Sequence, residues 1–395
     1  MSEKNKPLLA KSSNHKAEIM TDIERCSRCI IPTSLPSVET DNKGVCNHCN
    51  KYEIRYANND KTKEERKKEF ENIVYEAKKL NRPYDCVVTL SGGKDSTYNL
   101  YLASKVYGLK CIAITFDNGF LSEHAIHNIK AATEIAGVDH IFYKINRDTM
   151  LRLYKMSLMK SGIVCAPCMG GITACGIVAS RTFNPPLLIH GNSNKIAYMV
   201  HPELHAAGEI VGNLIKDDPI AKKSEQLIIE DNTHKYKVRN VIKRLIFRKS
   251  FVVPRAICFH DYFDVPRDEL YDTIRREMSW TAPDDPEHMD CIIHELPFYV
   301  HGLKFPELTK KTLFLAGQVR FGEMERGEAL DIETKELAEK KKPAILDSFL
   351  KELDMSEDEF VLYASDWKKV EQYRNKAGSR PKALWLAVYH KIIAS

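Results

Sequence analysis

The run YDCVVTL (84–90) breaks at SGGKDS (91–96) and resumes as the helix-type run STYNLYLASKVYG (96–108). Three more short, β-rich apolar runs follow: KCIAITF (110–116), HIFYKI (140–145) and PLLIHG (186–191). Helix-type stretches over 94–107, 122–136, 147–160 and 170–182 separate them. Strands alternating with helices at this spacing predict the α/β class, a parallel sheet with crossover helices. Near-continuous apolar strands further predict helices on both faces of that sheet.

In a parallel sheet of this kind, ligands bind beyond the carboxyl ends of the strands. The junction after Leu90 is suited to an anion. Gly92 and Gly93 let backbone N–H groups approach closely, and the following helix start adds the positive end of its dipole. Ser91, Ser96 and Thr97 carry hydroxyls, and Lys94 carries a point charge. Asp95 would repel a bare phosphate, so its place is to hold Mg²⁺ or to orient the loop. The G-x-x-x-x-G-K-[ST] pattern is absent, so transfer of a γ-phosphate is not implied. Asp117 and Asn118 of TFDNG end the second strand, and Gly191 of HGNSN ends a later one; both are expected to line the same crevice.

The chain has 11 cysteines. Cys26, Cys29, Cys46 and Cys49 form C-x2-C-x16-C-x2-C, a spacing for structural zinc in a module too small for a core of its own. Four thiolates leave no open position, so this site is structural. Cys165 and Cys168 form a second C-x-x-C just before a helix-type stretch. A helix-start pair without metal is one reading. The other adds a distant third thiolate, Cys291 or Cys258, to hold a 4Fe–4S cluster with one iron open. Cys86 and Cys111 lie in apolar strands and read as small buried hydrophobes.

SGGKDS matches in full the S-G-G-x-D-S motif of the PP-loop, and the chain resembles the N-type ATP pyrophosphatases that carry it. The resemblance implies a HUP-type domain in which Leu90 to Thr97, with Asp117 and Gly191, bind ATP and Lys94 and Asp95 serve catalysis. Such enzymes transfer AMP to a substrate oxygen, which a nitrogen or sulfur nucleophile then displaces. The wider order is similar to the N-acetyl sugar amidotransferases of surface-polysaccharide pathways: CSRCIIPTSLP, GVCNHC, the PP-loop unit, DDPEHMDC and LAGQVRFGEMERGEAL, over roughly 24 to 335. It implies conversion of an acetamido to an acetamidino group on a nucleotide- or lipid-linked sugar, with ammonia from a separate glutaminase. The PP-loop, later C-x-x-C and lone Cys also resemble cluster-dependent tRNA thiolation enzymes. That resemblance implies sulfur transfer to tRNA or a small molecule, with Cys165 and Cys168 in the chemistry.

The expected organisation is a disordered tail (1–21), a zinc-ribbon-like module (22–55), a helical linker (56–82), the PP-loop domain (83–265) and a helical C-terminal region (266–395). A net charge of +5 is too weak to imply nucleic acid by itself. No apolar run reaches transmembrane length and no signal core opens the chain, which makes the cytoplasm the expected compartment. The basic stretch over 235–250 reads as a solvated face, a membrane-surface contact for a lipid-linked substrate, or an RNA contact. A zinc-bearing ATP-binding scaffold without turnover is the non-enzyme alternative.

Overall fold

The computed structural model describes residues 23–36, 38–54, 61–191, 214, 254–282, 290–339 and 341–366. The expected tail and the basic stretch over 235–250 lie outside them. In chain order the helices are α1 (Asn47–Tyr52), α2 (Lys63–Lys79), α3 (Lys94–Tyr101), α4 (Glu123–Ala136), α5 (Arg147–Ser161), α6 (Ala166–Phe183), α7 (Arg267–Met278), α8 (Glu295–Lys304), α9 (Thr312–Phe321), α10 (Arg326–Ala338), α11 (Leu346–Glu352) and α12 (Glu357–Ala364). The strands are β1 (Cys86–Thr89), β2 (Cys111–Asp117), β3 (Asp139–Lys144), β4 (Leu187–Ile189) and β5 (Arg255–Ile257).

All five strands pair in parallel in the order β3-β2-β1-β4-β5. The chain runs outward from β1 to β3, then returns to the other flank of β1. The strand order therefore reverses beside β1, the position at which open α/β sheets form their ligand crevice. Alternate residues of each strand serve two cores. Val87, Ile112, Ile114 and Phe116 face α5, α6 and the C-terminal helices. Cys86, Val88, Cys111 and Ala113 face α2, α3, α4 and α7. Apolar side chains on both faces account for the continuous apolar strands. Cys86 and Cys111 are buried register partners with sulfurs 3.3 Å apart, as small core residues.

Local chemistry sets the element ends. Thr62 and Glu65 close a reciprocal capping box at the start of α2. Ser122 caps α4, and Gly137 ends it in the left-handed region at φ 67°. The Phe70 ring of α2 packs 4.7 Å from Phe259 and 4.9 Å from Tyr107, pinning the turn after β5 against the sheet.

Three expectations need correction. β5 falls where periodicity is weak; three residues are too few to show a pattern. α3 passes at Leu102–Val106 into a π-helical turn rather than continuing as one α-helix to 107. α6 begins at Ala166 rather than at 170, so Cys165 is its N-cap and Cys168 lies inside its first turn. Pro167 suits a first helical turn, whereas Gly170 and Gly171 suggest a break. Gly171 is instead a packing residue: a Cβ there would meet the Phe116 ring at 2.0 Å. Replacing Gly171 with Ala should force α6 off the sheet and lower stability by about 1–3 kcal/mol. Urea unfolding measures this, and a midpoint equal to the wild type would contradict the close packing.

Candidate functional site

The SGGKDS loop is shaped by backbone constraints. Gly92 sits at φ 80°, where a side chain is strained, and a Cβ there would stand 2.4 Å from the Ala125 carbonyl oxygen of α4. Its own carbonyl accepts from Trp280 Nε1 at 2.9 Å and from Asn128 Nδ2 at 3.2 Å. Asn128 in turn is bound to Thr281, accepting from its N–H at 2.9 Å. Gly93, at φ −73°, has no such strain; it is the N-cap of α3 and makes no side-chain cap. That leaves the first N–H groups of α3 facing the crevice, where an anion can take the capping role.

The two loop serines are engaged with the loop itself. Ser96 Oγ accepts from Ser91 N and donates to Gly93 O, both at 3.1 Å, and Ser91 Oγ accepts from Gly93 N at 3.3 Å. Their hydroxyls hold the curl in shape. Thr97 is fully buried, its hydroxyl without a hydrogen-bond partner among the described residues. Leu90 is buried, and its carbonyl accepts from Thr115 Oγ1 at 2.6 Å, so it contributes backbone and core.

Lys94 Nζ lies 3.4 Å from Asp95, whose other carboxylate oxygen stands 3.3 Å from His260 Nε2. Burial pushes the Asp95 carboxyl up, but His260 and the Lys94 ammonium outweigh it and hold the group at about 2. Asp95 is therefore a carboxylate across the neutral range. His260 went unnoticed in the sequence because it follows a strand too short to recognise; Trp280 went unnoticed because its partner is 188 residues away. Gly191 lies against the same helix start, its added Cβ 3.7 Å from Ser96 N. Asp117 ends β2, accepting from Gly119 N at 2.8 Å and paired with Lys144 at 3.0 Å.

Cys165, Cys168 and Cys291 converge beside this edge. Cys291 bridges to Leu121, just after β2, through N–H bonds from Ile292 to Phe120 O and from Ser122 to Asp290 O. Asn118 Nδ2 reaches Cys168 Sγ at 3.3 Å and Cys291 Sγ at 3.5 Å. The Asp290 carboxylate lies 3.8 Å from a Cβ placed on Gly93, which ties the thiols to the loop. Cys258 is elsewhere, buried at the end of β5 beside His260. Burial pushes the Cys168 thiol up to about 12 and the Cys291 thiol to about 11, with the other acidic groups adding to it. Ligation there would displace protons. Glu287 and His288, near Cys291 in sequence, lie outside the described residues.

The N-terminal cysteines are arranged differently. Cys26, Cys29, Cys46 and Cys49 are all fully buried. Among the described residues they are the one set of three or more His, Cys, Asp or Glu side chains whose donor atoms all lie within 4.8 Å of one another. Sulfur separations of 3.8 Å (Cys29 to Cys46) and 4.0 Å (Cys26 to Cys49) match the edge of a tetrahedron with bonds of about 2.3 Å. The donors thus fit a single tetrahedral ion. Cys165, Cys168 and Cys291 do not form a set within that 4.8 Å limit.

A family model described as queuosine biosynthesis protein QueC matches residues 85–171, from β1 into α6. A second, described as LPS biosynthesis protein WbpG-like, C-terminal domain, matches residues 297–387. Together the two matches support a PP-loop protein of the N-acetyl sugar amidotransferase type. This PP-loop protein is also 31% identical over 125 residues to the uncharacterized protein MJ1599 of Methanocaldococcus jannaschii. The match covers 31% of the chain and 43% of that relative, so the chain spans less than half the relative's length. Among solved structures it aligns with the U34-tRNA thiolase NcsA from Methanococcus maripaludis with its [4Fe-4S] cluster, at 16% identity over 82% of this chain and 90% of that one. The TM-score of that alignment is 0.27, too low to carry an argument. Among the described residues no helix is long and apolar enough to cross a membrane.

The Gly92 geometry leaves no room for a methyl group. Gly92→Ala should cost about 1–3 kcal/mol of stability and abolish ATP binding, because α4 backbone must move. Thermal melting and equilibrium nucleotide binding check both; wild-type ATP affinity in the variant would refute this account of the loop.

Proposed function

We propose that this protein uses ATP to activate an amide oxygen and then delivers nitrogen to the activated carbon. The substrate is an acetamido group on a nucleotide- or lipid-linked sugar of surface-polysaccharide synthesis, and the product is the acetamidino group. One observation carries the reading: a PP-loop open at the sheet's carboxyl edge shares a chain with a WbpG-like C-terminal match. The amide oxygen attacks the α-phosphorus, the α–β bridge breaks, and pyrophosphate leaves. Ammonia then adds to the carbon of the adenylated intermediate. The C–O bond breaks, AMP departs with the original oxygen, and loss of a proton gives the amidine. An amide oxygen is a poor leaving group until it carries AMP.

The N–H groups at the start of α3 and the Lys94 ammonium support the pyrophosphate end of ATP. Asp95 and Asp290 flank the loop as carboxylates, which suits Mg²⁺ between them and the phosphates; the ion would neutralise charge on the leaving pyrophosphate. Asp117 and Gly191 border the crevice on either side of β1, the adenosine side in this reading. Ammonia comes from a separate glutaminase, and the reaction takes place in the cytoplasm, with the basic stretch over 235–250 contacting a membrane-bound substrate. Zinc fits the four N-terminal cysteines as a structural ion.

Incubation with ATP, Mg²⁺, an ammonium salt and an N-acetyl sugar nucleotide should yield AMP and pyrophosphate in equal amounts, together with an amidine. Asp95→Ala should lower the rate about 10²–10³-fold with the fold intact. ADP and orthophosphate as products would overturn the proposal, and ATP binding without any turnover would favour the scaffold reading.

A second reading is favoured by the meeting of Cys168 and Cys291 at Asn118, with Cys165 close to both. These residues would hold a 4Fe–4S cluster, which would supply an open iron for an external sulfide; adenylation would then serve thiolation of tRNA or a small molecule. Anaerobically purified protein decides between them. Sugar amidation predicts about one zinc per chain and no visible absorbance. Brown protein with about four irons and labile sulfide, lost in Cys291→Ser, would shift the chemistry to sulfur.

A further inference from the structure

The adenylation reading assigns no role to the segment LAGQVRFGEMERGEAL (315–330), yet both of its arginines reach the N-terminal cysteines. The Arg320 side chain is buried, at 3% exposure, and its Nη2 stands 3.8 Å from Cys29 Sγ. Arg326 donates to both carbonyls of the first C-x2-C turn: Nε to Cys29 O at 3.1 Å and Nη2 to Cys26 O at 3.2 Å. Phe305, Leu308, Leu315, Ala316 and Ala329 close one apolar cluster with the four cysteines. The metal-binding module is therefore seated on α9 and α10, almost 300 residues away in the chain.

Charge gives this contact a purpose. Four thiolates around a divalent ion carry two surplus negative charges, and here all four sulfurs are excluded from water. Buried charge of this kind needs donors aimed at it. Cys26 Sγ accepts from the backbone N–H groups of Cys46, Arg28 and Cys29 at 3.2, 3.4 and 3.5 Å, and Cys46 Sγ accepts from Cys49 N at 3.4 Å. Cys29 Sγ faces the Arg320 guanidinium. We infer that Arg320 is part of the metal site: its permanent positive charge stabilises the thiolate set, and the 315–330 segment completes a site that the N-terminal module does not close alone. Metal binding is thereby coupled to docking of the module on the C-terminal helices. The inference is independent of the adenylation reading.

The test uses the full-length chain loaded with one zinc, without nucleotide, and follows zinc transfer to a colorimetric chelator. Arg320→Met, close in length but uncharged, should release zinc about 10–100-fold faster than the wild type while far-UV circular dichroism stays unchanged. Arg320→Lys, which keeps a cation, should stay within about threefold of the wild type. Release from folded Arg320→Met at the wild-type rate would overturn the inference, as would equal acceleration in both variants. If Arg320→Met does not fold as expressed, refolding is titrated with zinc. Recovery at a zinc concentration at least about tenfold above that of the wild type supports the inference; a chain that stays unfolded at every zinc concentration makes Arg320 a packing residue and overturns it.

Discussion

The close approach of Gly92 to the backbone of α4 is the contact on which the crevice depends. A left-handed residue at the end of β1 turns the chain sharply enough to expose the first N–H groups of α3. The turn is not left to local preference. Asn128 and Trp280 both bond the Gly92 carbonyl, and Asn128 is itself bonded to Thr281 beside Trp280. The loop is therefore pre-shaped, and a phosphate arriving there does not have to order it. Such preorganisation suits electrostatic work on a leaving group, because donors are already in place when charge develops.

Around this loop the fold gathers chemistry from distant stretches. The aromatic cluster about Phe70 holds the turn after β5, so that His260 faces Asp95. Gly171 lets α6 press on Phe116, and this contact places the helix start with Cys165 and Cys168 at the same sheet edge. The short antiparallel bridge from Leu121 to Cys291 brings in the third thiol. Asn118 then joins the end of β2 to two of the sulfurs, while its Oδ1 accepts from Phe120 N at 2.8 Å. The SGGKDS loop and a thiol group thus share one edge.

The alternating apolar runs, the SGGKDS junction and the four-cysteine spacing were all readable from sequence, because each is a local pattern. Near-continuous apolar strands report burial on both faces of the sheet. A glycine pair between strand and helix reports a turn that other residues resist. Two C-x2-C turns report a tetrahedral site, since each presents two sulfurs on one side of a knuckle. From these alone came the parallel α/β class and the N-terminal cysteine cluster.

Only the tertiary structure decided which distant residues join those sites. Nothing local separates Cys291 from Cys258 as the neighbour of Cys165 and Cys168; the bridge to Leu121 does. Nothing local marks His260, Trp280 or Asn128 as partners of the loop, nor Arg320 and Arg326 as partners of the cysteines. The glycines of CMGG suggest a break in sequence, yet Gly171 becomes a close packing point of a helix because the Phe116 ring lies opposite. The physical reason is common to all of these. Backbone periodicity and turn geometry are set by neighbours along the chain, whereas hydrogen bonds, buried charges and ring contacts are set by whatever the packed layers bring into reach.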